Sequence, residues 1–366
     1  MSKGAVPQQS SQRSLASTYN DESEIARFYQ DRVVFITGGT GFIGKVFQRL
    51  ERDAPDARNK VTAVEGDLAL PDLGISKADL ATLVEEVSVV FHMAATVRFN
   101  EPLKSSEEKR VGSKRKLRFG QPNNYALTKA VTESLLLDEQ KELPLAIVRP
   151  AVVTASWKEP FPVAMGLLPS VLLSKDCIAD LIPVDVVANT IICVGWQVAK
   201  IRPTQLKVYN CASSTLQPHT WGEVNEQVKR TVMQYPLPHT RRFSRYIATS
   251  SKVLYRLSLC FLCYVPAFFG DLALRLTGKK ASNVALYRKI IKGMDVMHFY
   301  TTNSWLFRSQ NFVALMSDLS PTDKQLFDID VRKMDWCQYW DHYMLGIHKY
   351  LLKIDDLESS QERGQV

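Results

Sequence analysis

The stretch Thr37-Gly38-Gly39-Thr40-Gly41-Phe42-Ile43-Gly44 decides the fold of this chain. It follows an apolar run at residues 33–36 and leads into residues 45–50, an order that predicts a strand, a glycine turn and a helix. Glycine recurs at every third position. One glycine allows a tight turn, one lets backbone N–H groups approach a pyrophosphate, and one lets the helix pack closely on the strand. The stretch therefore predicts a turn that binds a dinucleotide.

A second motif downstream strengthens this interpretation. Tyr125 and Lys129 are four residues apart and would share one face of a helix. An ammonium group beside a phenol favours the phenolate, so we expect the pKa of Tyr125 to be lowered. Such a pair can donate a proton during carbonyl reduction and anchor the ribose of a cofactor. The alternative is that both are ordinary surface residues of a helix.

The first half of the chain alternates strand and helix patterns from residue 31 to about residue 195. Continuous apolar, β-branched runs at 61–65, 87–92 and 145–149 are typical of a parallel sheet that is covered on both faces. The motifs follow strand carboxyl ends, where open α/β sheets bind ligands. The sequence predicts an α/β fold: a Rossmann-type doubly wound parallel sheet followed by a mainly helical C-terminal domain.

Composition and charge restrict the partners. A net charge of +8 suits nucleic acid, an anionic membrane, an anionic molecule such as coenzyme A or NADPH, or simply solvated lysines. Residues 104–118 hold seven Lys or Arg against two Glu and no aromatic residue, so we expect an exposed connection and no nucleic-acid partner.

Cys260 and Cys263 lie in an apolar run without a His or Cys cluster, and no metal site is expected. Residues 1–20 are polar, so no signal peptide is expected.

An apolar segment interrupts the second half of the chain. Residues 257–270 are uncharged and contain Pro266, and the preceding stretch 230–256 is basic. A bilayer span needs about 20 residues, so this segment is too short for an ordinary one. A re-entrant or interfacial hairpin whose basic flank meets lipid headgroups fits the pattern. A buried helix fits it equally well.

Further short stretches carry a resemblance to a known family. They are Glu65-Gly66-Asp67-Leu68, residues 91–99, Ile147-Val148-Arg149-Pro150, residues 156–160, Ile182-Pro183-Val184-Asp185, residues 274–280, 286–289 and 301–305, and Asp335-Trp336. With the glycine turn and the Tyr–Lys pair, they make the chain resemble the alcohol-forming fatty acyl-CoA reductases of insects and other animals, in the extended short-chain dehydrogenase/reductase superfamily. The resemblance covers about residues 30 to 355. A soluble sugar-nucleotide epimerase or reductase is disfavoured by the C-terminal half.

The resemblance implies a two-step reduction with NADPH. A long-chain acyl-CoA would take one hydride and lose coenzyme A, and the retained aldehyde would take a second hydride to give a primary alcohol. Tyr125 would donate a proton to the developing oxyanion, and Lys129 would bind the nicotinamide ribose. The residues expected to contact the cofactor are Thr37, Gly38, Thr40, Gly41, Phe42, Ile43, Gly44, Asp67, Leu68, Ala94, Ala95, Lys129, Pro150 and Val153.

Several of these assignments have a structural alternative. Asp67 can be a turn or cap residue, Ala94 and Ala95 can be ordinary packing residues, and Arg98 can meet a phosphate of coenzyme A or simply cover the surface. His92 is interpreted as a strand-end residue and not as a ligand.

Three segments of the family pattern are missing from this sequence. Only residues 51–60 separate the first helix from the run before Asp67, so a strand that ends near the cofactor's 2′-phosphate is lost; Lys45, Arg49 or Arg52 would have to compensate. The strand that carries the family's catalytic Ser/Thr has no counterpart between Phe99 and Tyr125. The loop after Pro162 is short. We expect the run at 61–65 to take the vacated place in the sheet, and activity to be reduced.

The predicted organisation has four parts. Residues 1–30 form a disordered tail, 31–229 the NADPH-binding reductase domain, 230–280 the membrane-associating segment, and 281–366 the helical C-terminal domain. The membrane contact is placed at residues 254–276. By the resemblance, the protein associates with endoplasmic reticulum or peroxisomal membranes and its catalytic domain faces the cytosol. The competing hypothesis is a catalytically impaired, membrane-associated relative that binds nucleotide or acyl-CoA.

Overall fold

The structure is a computed structural model that describes residues 22–47, 60–95, 124–141, 143–157, 170–234, 247–278 and 282–346. The predicted strand, glycine turn and helix are present as β1, a turn and α2. The strands of the described chain are β1 Val33–Thr37, β2 Val87–His92, β3 Ala146–Pro150, β4 Val152–Thr154, β5 Ser170–Leu172, β6 Leu181–Pro183, β7 Lys207–Cys211 and β8 Ile247–Thr249.

Helices make up most of the remainder. They are α1 Glu24–Tyr29, α2 Phe42–Phe47, α3 Lys77–Glu86, α4 Asn124–Glu139, α5 Val184–Ile201, α6 Trp221–Gln234, α7 Lys252–Leu276, α8 Asn283–Thr301, α9 Gln310–Asp318, α10 Pro321–Leu326 and α11 Trp336–Gly346. Short 3₁₀ turns occur at Pro71–Gly74 and Val331–Lys333. Because helices cover parallel strands and then dominate the C-terminal half, the predicted α/β class is confirmed.

The strands of the described residues pair two by two and always in parallel. The pairs are β1–β2, β3–β7, β4–β6 and β5–β8. In the first pair Thr37 lies opposite His92, so the two strands end side by side. The stretch in which the resemblance places the missing Ser/Thr strand, and the basic run 104–118, lie outside the described residues.

The prediction of a strand at residues 61–65 is wrong. The chain runs as exposed irregular structure from residue 61 to the turn at Asp67. A strand exists only through pairing, and within the described residues this run makes no ladder with β1. Val61 is 65% exposed, so the run buries too little apolar surface to be held against the sheet. The expectation that residues 61–65 take the vacated position in the sheet is therefore also wrong.

The start of the described chain is also more ordered than predicted. The tail was expected to extend to residue 30, but α1 forms and Ile25 is fully buried. The Ser23 hydroxyl accepts a hydrogen bond from the Ala26 N–H and donates one to the Asp323 carboxylate, and the Ile25 N–H also faces Asp323. The helix is therefore fastened to α10, about three hundred residues away in sequence.

One main hydrophobic core joins the two halves of the chain. It contains α5 and strands β4, β6 and β7, and it also contains aromatic and aliphatic side chains of α9 and α11. Trp340 and Tyr339 of α11 are each 1% exposed, and the Tyr339 hydroxyl donates to Thr154 Oγ1 over 2.8 Å. The last described helix thus packs directly on the strands of the first half.

A second, smaller core holds the α7–α8 hairpin. It is built from Leu172, Tyr255, Leu259, Cys263 and Ile291. The backbone N–H groups of Val284 and Asn283 donate to the Asp271 carboxylate, which fixes the start of α8 against α7 and holds the pKa of Asp271 below its usual value.

The apolar segment departs from both predicted alternatives. It is neither a hairpin nor a buried helix: α7 is one continuous helix, Lys252–Leu276, and most of its residues are exposed. A π turn at Cys260–Tyr264 connects its two α-helical halves. Pro266 lacks an N–H donor and would interrupt an ordinary helix, and the π turn directly before it accommodates that loss. The proline therefore does not reverse the chain.

Candidate active site

The glycine turn is positioned by the end of β1. Gly38 has φ +76°, a left-handed conformation that favours glycine. A Cβ on Gly38 would lie 2.7 Å from the Cα of Ala94, two residues beyond the end of β2. The N–H of Gly41 donates to the carbonyl of Gly38 over 2.9 Å and closes the turn. The chain can pass this close to β2 only because residue 38 has no side chain.

Gly44 packs closely inside the glycine turn, and its predicted contact with the cofactor stays a prediction. A Cβ there would overlap the carbonyl oxygens of Gly38 and Gly39. By contrast, a Cβ on Gly41 would meet only the carbonyl oxygen of Gly38, at 3.1 Å. Gly44 therefore lets α2 close against its own turn. Gly41 is exposed in the turn, where a ligand phosphate can approach it.

The end of β2 lies directly beside this turn. Thr37 Oγ1 and His92 Nδ1 are 2.9 Å apart, and the Ala94 N–H donates to Thr37 Oγ1 over 3.4 Å. Burial and the nearby Lys129 ammonium lower the pKa of His92, so its imidazole is neutral at physiological pH. Thr37, Gly38 and Ala94 are thus brought together, as predicted.

Helix α4 carries the Tyr–Lys pair. The ammonium of Lys129 lies 5.8 Å from the centre of the Tyr125 ring, which confirms that the two side chains share one face. Leu127 and Val131 bury the opposite side of the helix. The Lys129 ammonium also contributes to the lowered pKa of His92, the last residue of β2.

The expected lowering of the Tyr125 pKa is wrong. Burial, and secondarily the nearby Tyr300, raise the pKa of Tyr125 above its usual value. The phenol is half-buried, and partial removal from water disfavours its charged form. Tyr125 is therefore protonated at neutral pH, the form that a proton donor needs.

Glu133 connects α4 to β3. Its carboxylate forms a two-pronged ion pair with Arg149, with 2.8 Å between Arg149 Nε and Glu133 Oε1. Burial lowers the pKa of Lys129, and Glu133, one turn along the helix, partly opposes this. The ion pair between Glu133 and Arg149 holds α4 against β3. Arg149 directly precedes the predicted site residue Pro150.

Tyr300 is a site neighbour that the sequence did not indicate. It lies near the end of α8 and packs with Phe299 and Trp305, whose ring centres are 5.5 Å and 5.9 Å away. The Thr301 hydroxyl donates to the Leu172 carbonyl over 2.8 Å and ties this helix end to β5. Tyr300 is 175 positions from Tyr125, so no local pattern could have linked the two.

Other predicted residues are more scattered. Thr40 and Phe42 are exposed in and after the turn, Ile43 packs towards the main core, and Pro150 and Val153 lie at the end of β3 and in β4. Ala95 is exposed beyond β2.

Asp67 and Leu68 lie in an exposed loop. Asp67 Oδ1 accepts the Ala69 N–H over 2.9 Å, and the Asp67 N–H donates to the Leu73 carbonyl over 2.7 Å. Asp67 thus has the turn role considered as the alternative, and its contact with the cofactor stays a prediction.

The residues present fit a dinucleotide. The turn at residues 38–41 is exposed at Thr40 and Gly41 and has no side chain where it passes closest to the end of β2, and Tyr125 on α4 is half-buried. Backbone N–H groups of such a turn bind a diphosphate, and a lysine on α4 is suited to a ribose hydroxyl.

Comparison with solved structures agrees with this fold. The terminal R domain of the myxalamid PKS-NRPS biosynthetic pathway superposes with a TM-score of 0.53 at 18% identity, covering 89% of this chain and 93% of that domain. The reductase (R) domain of a non-ribosomal peptide synthetase from Mycobacterium tuberculosis gives 0.52 at 15% identity, covering 88% and 92%. At these identities the likeness establishes the Rossmann-type fold alone.

Two family models, both described as "Male sterility protein", match the sequence. An NAD-binding model matches residues 45–117 and 105–191, and a second model matches residues 262–354. Fold, site and matched region define an oxidoreductase with a nicotinamide cofactor, in the extended short-chain dehydrogenase/reductase class.

Curated relatives narrow the class to one family. Fatty acyl-CoA reductase 1 of Xenopus laevis is 30% identical over 443 residues, covering 90% of this chain and 86% of the relative. The Homo sapiens protein of that name is 29% identical with the same coverage, and Fatty acyl-CoA reductase 2 of Bos taurus is 27% identical, covering 91% and 87%. The chain belongs to the fatty acyl-CoA reductase family.

The same comparison agrees with the expected loss of segments. Because 90% of 366 residues is about 330, more than a hundred of the 443 aligned positions have no counterpart in this chain. Exposed apolar residues on α3, α4 and β2 fit such a loss: Val84 is 78% exposed, and Val90, Leu135 and Leu137 are also exposed.

Proposed function

We propose that the protein reduces long-chain fatty acyl-CoA to a primary fatty alcohol with two equivalents of NADPH, releasing coenzyme A. The observation that carries the proposal is the pair formed by Tyr125 and Lys129 on one face of α4, whose lysine also influences the pKa of His92 at the end of β2, in a chain that belongs to this family. Family membership supports the acyl-CoA substrate. The Tyr–Lys pair supports carbonyl reduction.

Tyr125 acts as the proton donor. As hydride adds to the thioester or aldehyde carbon, negative charge develops on the carbonyl oxygen, and a fixed donor must stabilise it. Burial keeps the Tyr125 phenol protonated until that charge appears. Lys129, on the same face, binds the ribose and attracts the tyrosinate once the proton has left.

The cofactor, when bound, supplies hydride in both steps. We propose that the turn from Thr37 to Gly44 holds its diphosphate and that Ala94, Ala95, Pro150 and Val153 line the nicotinamide end. Asp67 and Leu68 remain candidates for the adenine. Preference for NADPH over NADH would rest on a basic residue such as Lys45. Arg49 and Arg52, the other two candidates, lie outside the described residues.

The second candidate is a catalytically impaired relative that binds nucleotide or acyl-CoA at a membrane. Two observations favour this second candidate: many positions of the Xenopus relative have no counterpart in this chain, and apolar residues on α3 and α4 are exposed. We further propose the predicted division into a reductase region 31–229, a membrane segment and a C-terminal region 281–366. Attachment to the endoplasmic reticulum or peroxisome through residues 254–276, with the reductase facing the cytosol, completes the proposal.

Incubation of the purified full chain with palmitoyl-CoA and NADPH tests the proposed function. Gas chromatography should detect hexadecanol, and the amount should be smaller when NADH replaces NADPH. Cofactor binding without any aldehyde or alcohol would favour the impaired relative. The absence of both cofactor binding and product would reject both candidates.

A further inference from the structure

Helix α7 is divided lengthwise into two faces. Tyr255, Leu259, Cys263, Ala267 and Asp271 are buried and recur at every fourth position. Four residues advance an α-helix by about 40° more than a full turn, so this stripe would drift around a regular helix. The π turn in the middle adds a residue to one turn and absorbs part of the drift. The helix therefore keeps one face on the protein along its whole length.

The opposite face is apolar and exposed from end to end. Phe261 is 65% exposed, Phe268 60% and Leu276 81%. The exposed large apolar residues of this face are Val253, Leu254, Leu257, Phe261, Leu262, Val265, Phe268, Phe269, Leu272 and Leu276. A continuous apolar surface of this length is uncommon on a soluble protein and marks a surface that is covered in use.

The charges of the α7–α8 hairpin indicate what covers it. The two helices carry six basic residues, Lys252, Arg256, Arg275, Arg288, Lys289 and Lys292, all of them exposed. They carry two acidic residues, and one of these, Asp271, is buried as the cap of α8. Apolar side chains beside a net positive charge complement an anionic lipid surface, where phosphates lie directly above the acyl chains.

We propose that α7 lies in the plane of an anionic phospholipid membrane, with its exposed apolar face in the outer acyl region and the basic residues of the α7–α8 hairpin at the headgroups. The inference rests on the membrane association proposed above and gives it a geometry. The helix is attached to one leaflet and does not cross the bilayer.

Length alone would allow crossing. The helix has 25 residues, and at about 1.5 Å per residue it could span a hydrocarbon core of about 30 Å. Crossing, however, would strip the buried face from its partners. Tyr255 and Cys263 would leave the second core, and Asp271, which holds α8 through two backbone hydrogen bonds, would enter lipid.

Vesicle co-sedimentation of the full chain tests the association without substrate or cofactor. We expect binding to phosphatidylcholine vesicles that contain phosphatidylserine, and weaker binding to phosphatidylcholine alone. Phe261→Glu with Phe268→Glu should lower the partition coefficient by at least about a hundredfold, since each removes an apolar anchor. Val84→Glu with Leu326→Glu alters two equally exposed apolar residues elsewhere and should leave binding unchanged.

Depth measurements separate the in-plane from the crossing arrangement. Spin labels are placed through Leu254→Cys, Val265→Cys and Leu276→Cys in a chain in which Cys260 and Cys337, the exposed cysteines, are replaced by Ser. An in-plane helix puts all three labels at one shallow depth. A crossing helix puts the middle label about 15 Å deeper than the others.

Each outcome decides a separate claim. Equal shallow depths support the proposal, and a deep central label overturns the in-plane geometry while membrane association stands. Absence of vesicle binding overturns both, whatever the reductase activity. A dimer that dissociates on Phe261→Glu with Phe268→Glu, together with no vesicle binding, would assign the face to a second copy of the chain.

Discussion

At the scale of residues, the account depends on the different environments of Tyr125 and Lys129. The phenol is half-buried with a raised pKa, and the ammonium contributes to the lowered pKa of His92 at the end of β2. Tyr125→Phe removes the only side-chain donor assigned to the oxyanion, and loss of one such donor costs about a hundred- to thousandfold in rate. We expect alcohol formation to fall below detection in Tyr125→Phe and in Lys129→Ala, measured by gas chromatography with excess NADPH. Full activity in Tyr125→Phe would contradict the assignment.

Two glycines of the turn, Gly41 and Gly44, should respond differently to substitution. Gly41→Val should leave a folded protein that no longer binds the dinucleotide, because a Cβ at residue 41 makes one tight contact and the rest of the side chain would occupy the exposed space proposed for the diphosphate. Gly44→Ala should lower the free energy of unfolding by about 1–3 kcal/mol, because its methyl group overlaps two carbonyl oxygens of the turn.

Cofactor fluorescence titration and urea unfolding distinguish these two effects. Equal cofactor affinity in Gly41→Val and the unaltered chain would remove the turn from the binding site. An unchanged unfolding free energy in Gly44→Ala would show that the turn can relax around the added methyl.

At the scale of elements, Asp323 decides whether α1 stays attached. Its carboxylate accepts hydrogen bonds from Ser23 and from Ser320, the latter over 2.7 Å, and the residue is fully buried. Asp323→Ala leaves these donors without partners and should cost about 1–3 kcal/mol of stability in urea unfolding. Asp138→Ala, an exposed aspartate on α4, is the matched control. Equal stability of the two variants would mean that α1 is held by Ile25 alone.

Elements with a local signature were predictable. The glycine turn, β2, β3 and the helix that carries Tyr125 and Lys129 all follow from short patterns of glycine, β-branched residues or helical spacing. The run at residues 61–65 has the same strand composition, but a strand needs a partner, and the composition of one run carries no information about its neighbour. The continuous α7 was missed because a proline usually ends a helix, and a π turn has no recognisable sequence pattern.

The candidate site was predictable only in part for the same reason. The Tyr–Lys pair and the turn are each local, and family resemblance joined them. The influence of Tyr300 on the pKa of Tyr125, and the ion pair between Glu133 and Arg149, depend on the tertiary structure. The wrong direction of the Tyr125 pKa has a similar origin, because burial, which dominates it, cannot be read from a sequence.

At the scale of the whole molecule, histidine burial predicts acid sensitivity. Burial lowers the pKa of His219 and of His298 below 6.5. At His219 the nearby Glu223 carboxylate partly opposes this lowering. At His298 the Asp295 carboxylate opposes the lowering and the Lys252 ammonium adds to it. The unfolded chain therefore binds protons more readily than the folded chain just below that value. Stability should be complete above pH 6.5 and fall as the pH drops through the folded pKa values.

Thermal unfolding at about pH 7.5 and about pH 5.5 measures this effect, with the lower melting temperature expected at the lower pH. Replacement of His219 and His298 by Gln should reduce the difference. A melting temperature that does not change between the two conditions would contradict the argument.

The missing segments should also reduce the catalytic rate. Misplacement of reacting groups by about 1 Å can cost on the order of a hundredfold, and this chain lacks more than a hundred positions that its Xenopus relative has. We expect kcat/KM for palmitoyl-CoA at least about a hundredfold below that of a full-length relative assayed in parallel. Equal values would show that the lost segments do not support the site.

The most direct test of the central claim follows hydride from cofactor to product. The purified chain is incubated with palmitoyl-CoA and NADPH that carries deuterium at both C4 positions, and the alcohol is analysed by mass spectrometry. The account predicts hexadecanol with two deuterium atoms on C1, and none from the Tyr125→Phe chain. Monodeuterated hexadecanal as the final product would contradict the two-step reduction, and labelled hexadecanol that persists in Tyr125→Phe would contradict the assignment of the proton donor.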